Sequence, residues 1–355
     1  MKVLVIGPSW VGDMMMSQSL YRTLKQRQPD IEIDVMAPVW CRPLLNKMPE
    51  VSHAIDMPIG HGQLALGQRY AIGQQLRTQG YDQAIILPNS LKSALIPFFA
   101  HIPKRTGWLG EMRYGLLNDW RKLDKKGFPL MVERYVALAY ESVAISQASQ
   151  LPRPLLWPKL QVSEWESSQT VAQFNLPANL PIIGFCPGAE FGPAKRWPDY
   201  HYAALADKLI EQGAYIVLFG SVKDQAVGAA IMAKMQHQTQ CTNLAGSTTL
   251  EQAVNLLAAC QAVVSNDSGL MHIAAALSTP LVALYGPSSP DFTPPLSDRA
   301  EIIRLITGYY KIRKGDSEAG YHQSLIDITP NQVLAVLTSL LERCKSESNK
   351  GCHDE

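Results

Sequence analysis

CQAVVSNDSGLMHIAAAL, residues 260–277, passes from an apolar run through a polar turn into a row of small helix formers. Strand, tight turn and helix start in that order form the unit of a parallel α/β sheet, whose working loops follow the C-terminal strand ends. In the turn, Asp267, Ser268 and Gly269 stand where the first N–H groups of a helix lie open to an anion. His272 follows Ser268 by one helical turn and can face the same ligand. Taken alone, the octapeptide 265–272 also reads as an ordinary helix start. Asp267 or Ser268 would then be the N-cap, with His272 on the surface or in packing.

The alternation continues outward. Residues 182–186 (IIGFC), 215–219 (YIVLF), 263–265 and 281–285 are expected as strands. Tyr202, Leu205, Ala206, Leu209 and Ile210 make a helical stripe ending before Gly213, and 249–259 is expected as a helix. Pro330 opens a last helix through Val333, Val336, Leu340 and Leu341. In the N-terminal half, 3–6, 31–36 and 84–87 read as strands, Met16, Leu20 and Leu24 as a helix face, and 131–140 as a helix. Pro152, Pro154 and Pro158 interrupt the pattern and mark a linker.

The expected fold is therefore α/β, with two Rossmann-like domains facing across a cleft. Their expected limits are 1–160 and 161–329. A helix over 330–345 could pack back on the N-terminal domain, and 346–355 would be a polar tail.

The 355 residues are 46% hydrophobic and 18% charged, with net charge +1. That near-neutral balance argues against nucleic acid as a main partner. Six scattered cysteines (Cys41, Cys186, Cys241, Cys260, Cys344, Cys352) without metal-ligand spacing read as free thiols of a reducing compartment. The first strand begins at once, so no signal peptide is expected, and no apolar run approaches the roughly 20 residues that span a bilayer. A cytoplasmic protein is expected.

GPSWVGD (7–13) closes the first strand. It is neither a dinucleotide fingerprint nor a P-loop. Asp13 reads either as a cap of the following helix or as a general base, with the helix N-terminus favouring its ionised form. GFCPGAEFGPAKRWP (184–198) carries a Gly- and Pro-rich turn followed by Lys195 and Arg196. Exposed N–H groups beside such cations suit a phosphate, although Lys195 and Arg196 could be a surface pair with Trp197 as packing anchor. Gly220 and Ser221 follow the strand 215–219, Asn243, Leu244, Ala245 and Gly246 precede a helix, and Tyr285, Gly286, Pro287 and Ser288 follow another strand. With 267–269 they could surround a nucleotide diphosphate.

GPSWVGD, PGA with K-R-W-P, and NDSG-x-x-H, in this order along essentially the whole chain, resemble the ADP-heptose:lipopolysaccharide heptosyltransferases. The resemblance implies a B-type glycosyltransferase fold and inverting transfer of L-glycero-D-manno-heptose from ADP-heptose, with no cofactor and no essential metal. The implied acceptor is the first heptose of heptosyl-Kdo-lipid A, attacked through its 3-hydroxyl. Carried over residue by residue, Asp13 is the general base and Lys195 the pyrophosphate lysine, both catalytic. Asp267, Ser268, Gly269 and His272 form the donor turn, Ser268 keeping the hydroxyl where relatives have Thr. Gly188, Ala189, Arg196, Gly220, Ser221, Asn243, Leu244 and Ala245 complete the donor set.

On the acceptor side stand Trp10, Gly12, Lys92, Arg105, Arg113 and Arg121, whose cations could meet anionic groups. The apolar stretch 94–99 could touch the inner membrane, giving peripheral contact; a buried helix with solvated cations is the plainer reading. No D-x-D pair ends a strand, and no second acid suggests a retaining mechanism. The alternatives are transfer of a different core heptose, a nucleotide-sugar epimerase or hydrolase, and a non-catalytic nucleotide-binding scaffold.

Overall fold

The computed structural model describes residues 1–60, 62–190 and 192–351, so Cys352 and the end of the expected tail lie outside the described residues. The chain divides into two compact units. Unit 1 holds Met1–Lys159 with Asp291–Thr293, and unit 2 holds Leu160–Pro290 with Pro294–Glu355.

Unit 1 carries six strands, β1 Lys2–Ile6, β2 Glu32–Ala37, β3 His53–Asp56, β4 Gln83–Ile86, β5 Lys104–Trp108 and β6 Asp119–Arg121. Unit 2 carries β7 Ile182–Cys186, β8 Tyr215–Leu218, β9 Cys241–Asn243, β10 Ala262–Asn266, β11 Leu281–Tyr285 and β12 Ala300–Arg304. The sheet orders are β3-β2-β1-β4-β5-β6 and β12-β11-β10-β7-β8-β9. Read from the first strand of each unit, these are one topology, and every pairing is parallel. The order reverses between β1 and β4 and again between β7 and β10. Those two switch points are where an open α/β sheet leaves a crevice for ligand.

The central strands are apolar almost throughout because helices cover both faces. Val3, Leu4, Val5, Ile183, Phe185, Val263, Val264 and Leu284 are all buried. The helix Val11–Arg27 buries Met14, Met15, Met16, Leu20, Tyr21 and Leu24, a wider face than one stripe. The last helix, Pro330–Gly351, sends Val333, Leu337, Leu340 and Cys344 into the core of unit 2 together with Tyr202, Leu205 and Leu284. Its apolar stripe is thus buried within unit 2, and the helix continues through 346–351 where a polar tail was expected. The helix expected over 131–140 is Met131–Ala137.

Candidate active site

In unit 2 the loop after β7 and the turn after β10 flank the switch point. Lys195 Nζ lies 2.7 Å from Asp267 Oδ2, joining the two. Asn266, fully buried, fixes the backbone beneath them. Its Oδ1 accepts from Trp197 N at 3.0 Å and from Tyr202 Oη at 3.1 Å, and its Nδ2 donates to Pro187 O at 2.7 Å. Trp197 is itself buried and donates through Nε1 to Ile328 O. It therefore anchors the segment while Lys195 and Arg196, half-buried, reach the strand ends.

A second carboxylate ties two of the loops together. Asp224 Oδ2 accepts from Ser221 N at 2.9 Å and Ser221 Oγ at 2.8 Å, and Arg196 Nη2 stands 3.7 Å from Asp224 Oδ1. A Cβ on Gly188 would sit 2.6 Å from that carboxylate, so the close approach requires glycine. Gly246 N donates to Gly220 O at 2.9 Å, which brings the loop after β9 to the same edge. Thus Gly188, Arg196, Gly220, Ser221, Asp267, Ser268 and Gly269 line the C-terminal edge of one sheet. Ala189, Leu244 and Ala245 have buried side chains and offer only backbone there. The Asn243 side chain turns back to Ala245 N and packs against Gly228.

The turn at 265–272 is a helix start and more. Ser268 is the N-cap of Gly269–Ala276, its Oγ accepting from Met271 N. His272 is 7% exposed, and burial pushes its imidazole down to about 4, Asp267 raising it and Lys195 lowering it less strongly. It is neutral near pH 7, and a neutral imidazole can accept or donate one hydrogen bond but offers a diphosphate no charge.

In unit 1, Gly7 ends β1 so tightly that a Cβ would meet Met14 Cε at 2.9 Å. Trp10, not Asp13, is the N-cap of the helix Val11–Arg27, and Asp13 lies in its first turn. Among the described residues no hydrogen bond or ion pair engages the half-buried Asp13 carboxylate. The helix N-terminus was expected to hold it ionised; burial wins instead and lifts it to about 6.

Two expected acceptor contacts, Arg113 and Arg121, are corrected, and a third expected residue, Arg105, is engaged within unit 1. Arg113 is fully buried, with Nη1 donating to Pro88 O at 2.7 Å and Ser93 Oγ at 3.0 Å. Arg121 is 6% exposed and donates to the carbonyls of Ala137 and Tyr140. Arg105 spreads Nε, Nη1 and Nη2 over the carbonyls of Leu116, Ile102 and Gly115. These guanidinium groups hold loops in place. Lys92 and Gly12 are half-buried and Trp10 is exposed. In the stretch 94–99, Ala94, Leu95, Ile96 and Pro97 are buried, which leaves Phe98 as the exposed apolar side chain.

Glu32, Asp34 and His53 could together offer metal ligands, but they lie at the N-terminal edge of the unit 1 sheet. Lys2 Nζ pairs there with Glu32 at 2.8 Å and Asp34 at 3.5 Å, so a lysine already engages both carboxylates.

Two Rossmann-like units, with an ammonium, open helix N–H groups and glycine turns at one switch point and an uncompensated carboxylate beside the other, define a nucleotide-sugar glycosyltransferase of the B type. Residues 69–322 match the family model of glycosyltransferase family 9 (heptosyltransferase), and the chain belongs to that family. It is 67% identical over 343 residues to lipopolysaccharide heptosyltransferase 2 of Escherichia coli (strain K12), covering 96% of this chain and 99% of that protein. The protein of the same name from Salmonella typhimurium (strain LT2) is 68% identical, with the same coverage of 96% and 99%. The solved structure of E. coli ADP-heptose lps heptosyltransferase II superposes with a TM-score of 0.90 at 63% identity, covering 97% of this chain and 100% of that one.

Proposed function

We propose that the chain transfers L-glycero-D-manno-heptose from ADP-heptose to the first heptose of heptosyl-Kdo-lipid A, with inversion at the anomeric carbon. The names of the relatives at 67% and 68% identity support the step, and the ADP-heptose in the name of the E. coli structure supports the donor. The observation that carries the mechanism is Asp13, a half-buried carboxylate that burial lifts to about 6. A base of that strength is ionised at neutral pH yet basic enough to take a hydroxyl proton in the transition state.

In this mechanism the acceptor hydroxyl oxygen forms a bond to the anomeric carbon as the bond from that carbon to the β-phosphate oxygen breaks. The proton passes to Asp13 Oδ, and ADP leaves with the electron pair. Charge grows on the diphosphate, where Lys195, Arg196 and the N–H groups at Ser268 and Gly269 stabilise it. His272 contributes a neutral hydrogen-bonding group. Lys92 and Trp10, with the Gly12 backbone, serve the acceptor.

The acceptor is lipid-anchored, so the protein works at the cytoplasmic face of the inner membrane as a peripheral partner. No helix among the described residues is long and apolar enough to cross a membrane. Exposed Leu64, Leu66, Tyr70 and Phe98 in unit 1 support surface contact. The test is Asp13→Asn, which should lower kcat by about 100-fold or more while ADP-heptose still binds. Transfer at the wild-type rate would remove Asp13 from the mechanism.

A further inference from the structure

In unit 1 the C-terminal ends of β1 and β2, with the loop that follows β4, surround a cavity of about 120 Å³ next to the switch point. Ser9, Trp40, Ser90 and Lys92 stand around it, and its described lining residues include no carboxylate. Trp40 is 54% exposed, yet its Nε1 donates to Ser9 O at 3.2 Å. The indole is therefore held by its one polar atom while much of its surface stays bare to solvent. Among the described residues, no ion pair or hydrogen bond engages the Lys92 ammonium.

Both rims are built rather than loose. Buried Arg113 takes the carbonyls of Pro88 and Ser90 and the hydroxyl of Ser93, fixing the loop that carries Lys92. Across the cavity, buried Arg69 takes the carbonyls of Leu64 and Gln63, fixing the segment after β3. With those carbonyls satisfied, the groups left for a ligand are an ammonium, hydroxyls and an aromatic surface. An aromatic surface covers the apolar C–H face of a pyranose, and a partnerless ammonium calls for an anion.

We propose that this cavity is a subsite for a negatively charged sugar unit of the acceptor, its ring against Trp40 and its acid group on Lys92. The proposal rests on the reading that unit 1 takes the acceptor, and it names which part of the acceptor is read. Arg113 and Arg69 are positioning residues that hold the two rims.

The probe is the deacylated, water-soluble acceptor oligosaccharide in three forms: intact, carboxyl-reduced, and phosphatase-treated. Binding is read by titration calorimetry and transfer by turnover. Lys92→Gln should weaken binding of the intact form and raise its KM about 10-fold, leaving the KM for ADP-heptose unchanged. Lys92→Arg should recover part of the loss. Trp40→Ala should weaken all three forms alike. Wild-type protein should lose the same 10-fold on whichever stripped form lacks the bound anion, and on that form Lys92→Gln should cost nothing more. Loss with the carboxyl-reduced form identifies a sugar-acid carboxylate, and loss with the phosphatase-treated form identifies a phosphate. If Lys92→Gln binds all three forms as wild type does, or weakens all three equally, the subsite is refuted. Because binding is measured without turnover, wild-type protein that binds the oligosaccharide but transfers nothing would overturn the catalytic reading alone.

Discussion

Lys195 Nζ and Asp267 Oδ2, 72 residues apart in sequence and 2.7 Å apart in space, bridge the switch point between β7 and β10. The pair places the one ammonium of the K-R-W-P segment beside the open N–H groups of the Gly269–Ala276 helix. A leaving diphosphate therefore meets a cation already held in position, which costs less reorganisation than recruiting a free side chain. Lys195→Ala should lower kcat/KM for ADP-heptose by about 100-fold. Asp267→Ala should lower it less, and the double variant should fall no further than Lys195→Ala, since the two act as a unit. Additive losses in steady-state kinetics would contradict that coupling.

Asp13 gives the pH dependence its sign. The base works only when ionised, so activity should rise with pH through about 6 and then level off. Stability runs the other way. Because the folded carboxyl sits above its ordinary value near 3.9, its relative stabilisation is complete below about pH 4 and is lost as pH rises through about 6. Asp13→Asn should therefore raise Tm relative to wild type at pH 7, with the difference vanishing near pH 4. Thermal scans at the two pH values check this.

His272 should not contribute to that rising limb. Burial holds its imidazole near 4, so it is neutral throughout the active range. His272→Gln is expected to raise the KM for ADP-heptose while leaving the limb at about 6 in place. A limb that moved with the substitution would transfer the titration from Asp13 to His272. As pH falls from about 6.5 toward 4, the buried neutral imidazole should cost the folded state stability, because the unfolded chain binds the proton more tightly.

Arg113→Ala should destabilise unit 1 by at least about 2 kcal/mol, because it leaves buried carbonyls and a hydroxyl unpaired. Urea unfolding measures it. A variant of wild-type stability that merely bound acceptor weakly would restore Arg113 to the surface role expected from sequence.

Gly188→Ala should impair donor binding more than stability. The added methyl would press on the Asp224 carboxylate at 2.6 Å, which must shift and disturb Arg196 and Ser221. Donor titration against a thermal melt separates the two effects.

The fold was legible where strands are buried on both faces. IIGFC and LVALY are continuous apolar runs, and the structure ends those strands at the residues expected. Strands β3, β6 and β9, with sequences HAID, DWR and CTN, are short and polar, too brief for any periodicity to emerge. Strand β12 carries Glu301 and Arg304 and is half-buried along its length, with Ile302 exposed, as suits an edge strand.

The donor turns at 188–196, 220–221 and 267–269 were readable because each follows an apolar run. Asp224 was missed although S-x-x-D at 221–224 is itself a capping pattern. Asn266 lay inside the quoted octapeptide, but its partners Pro187, Trp197 and Tyr202 are 79, 69 and 64 residues distant, and only the folded chain brings them near. The arginines misled for the opposite reason. Charge alone suggested solvent, whereas Arg113 and Arg121 point inward onto carbonyls that sequence does not reveal. The raised Asp13 had a signal in the three methionines that follow it, all buried, which marks a helix start closed in by apolar groups.

The most direct test is to incubate the protein with ADP-heptose and lipopolysaccharide acceptors bearing no heptose, one heptose or two, and to weigh the products. One heptose added to the one-heptose acceptor, and none to the others, is the predicted result. Addition to the heptose-free acceptor, or turnover of ADP-heptose with no acceptor present, would contradict the account.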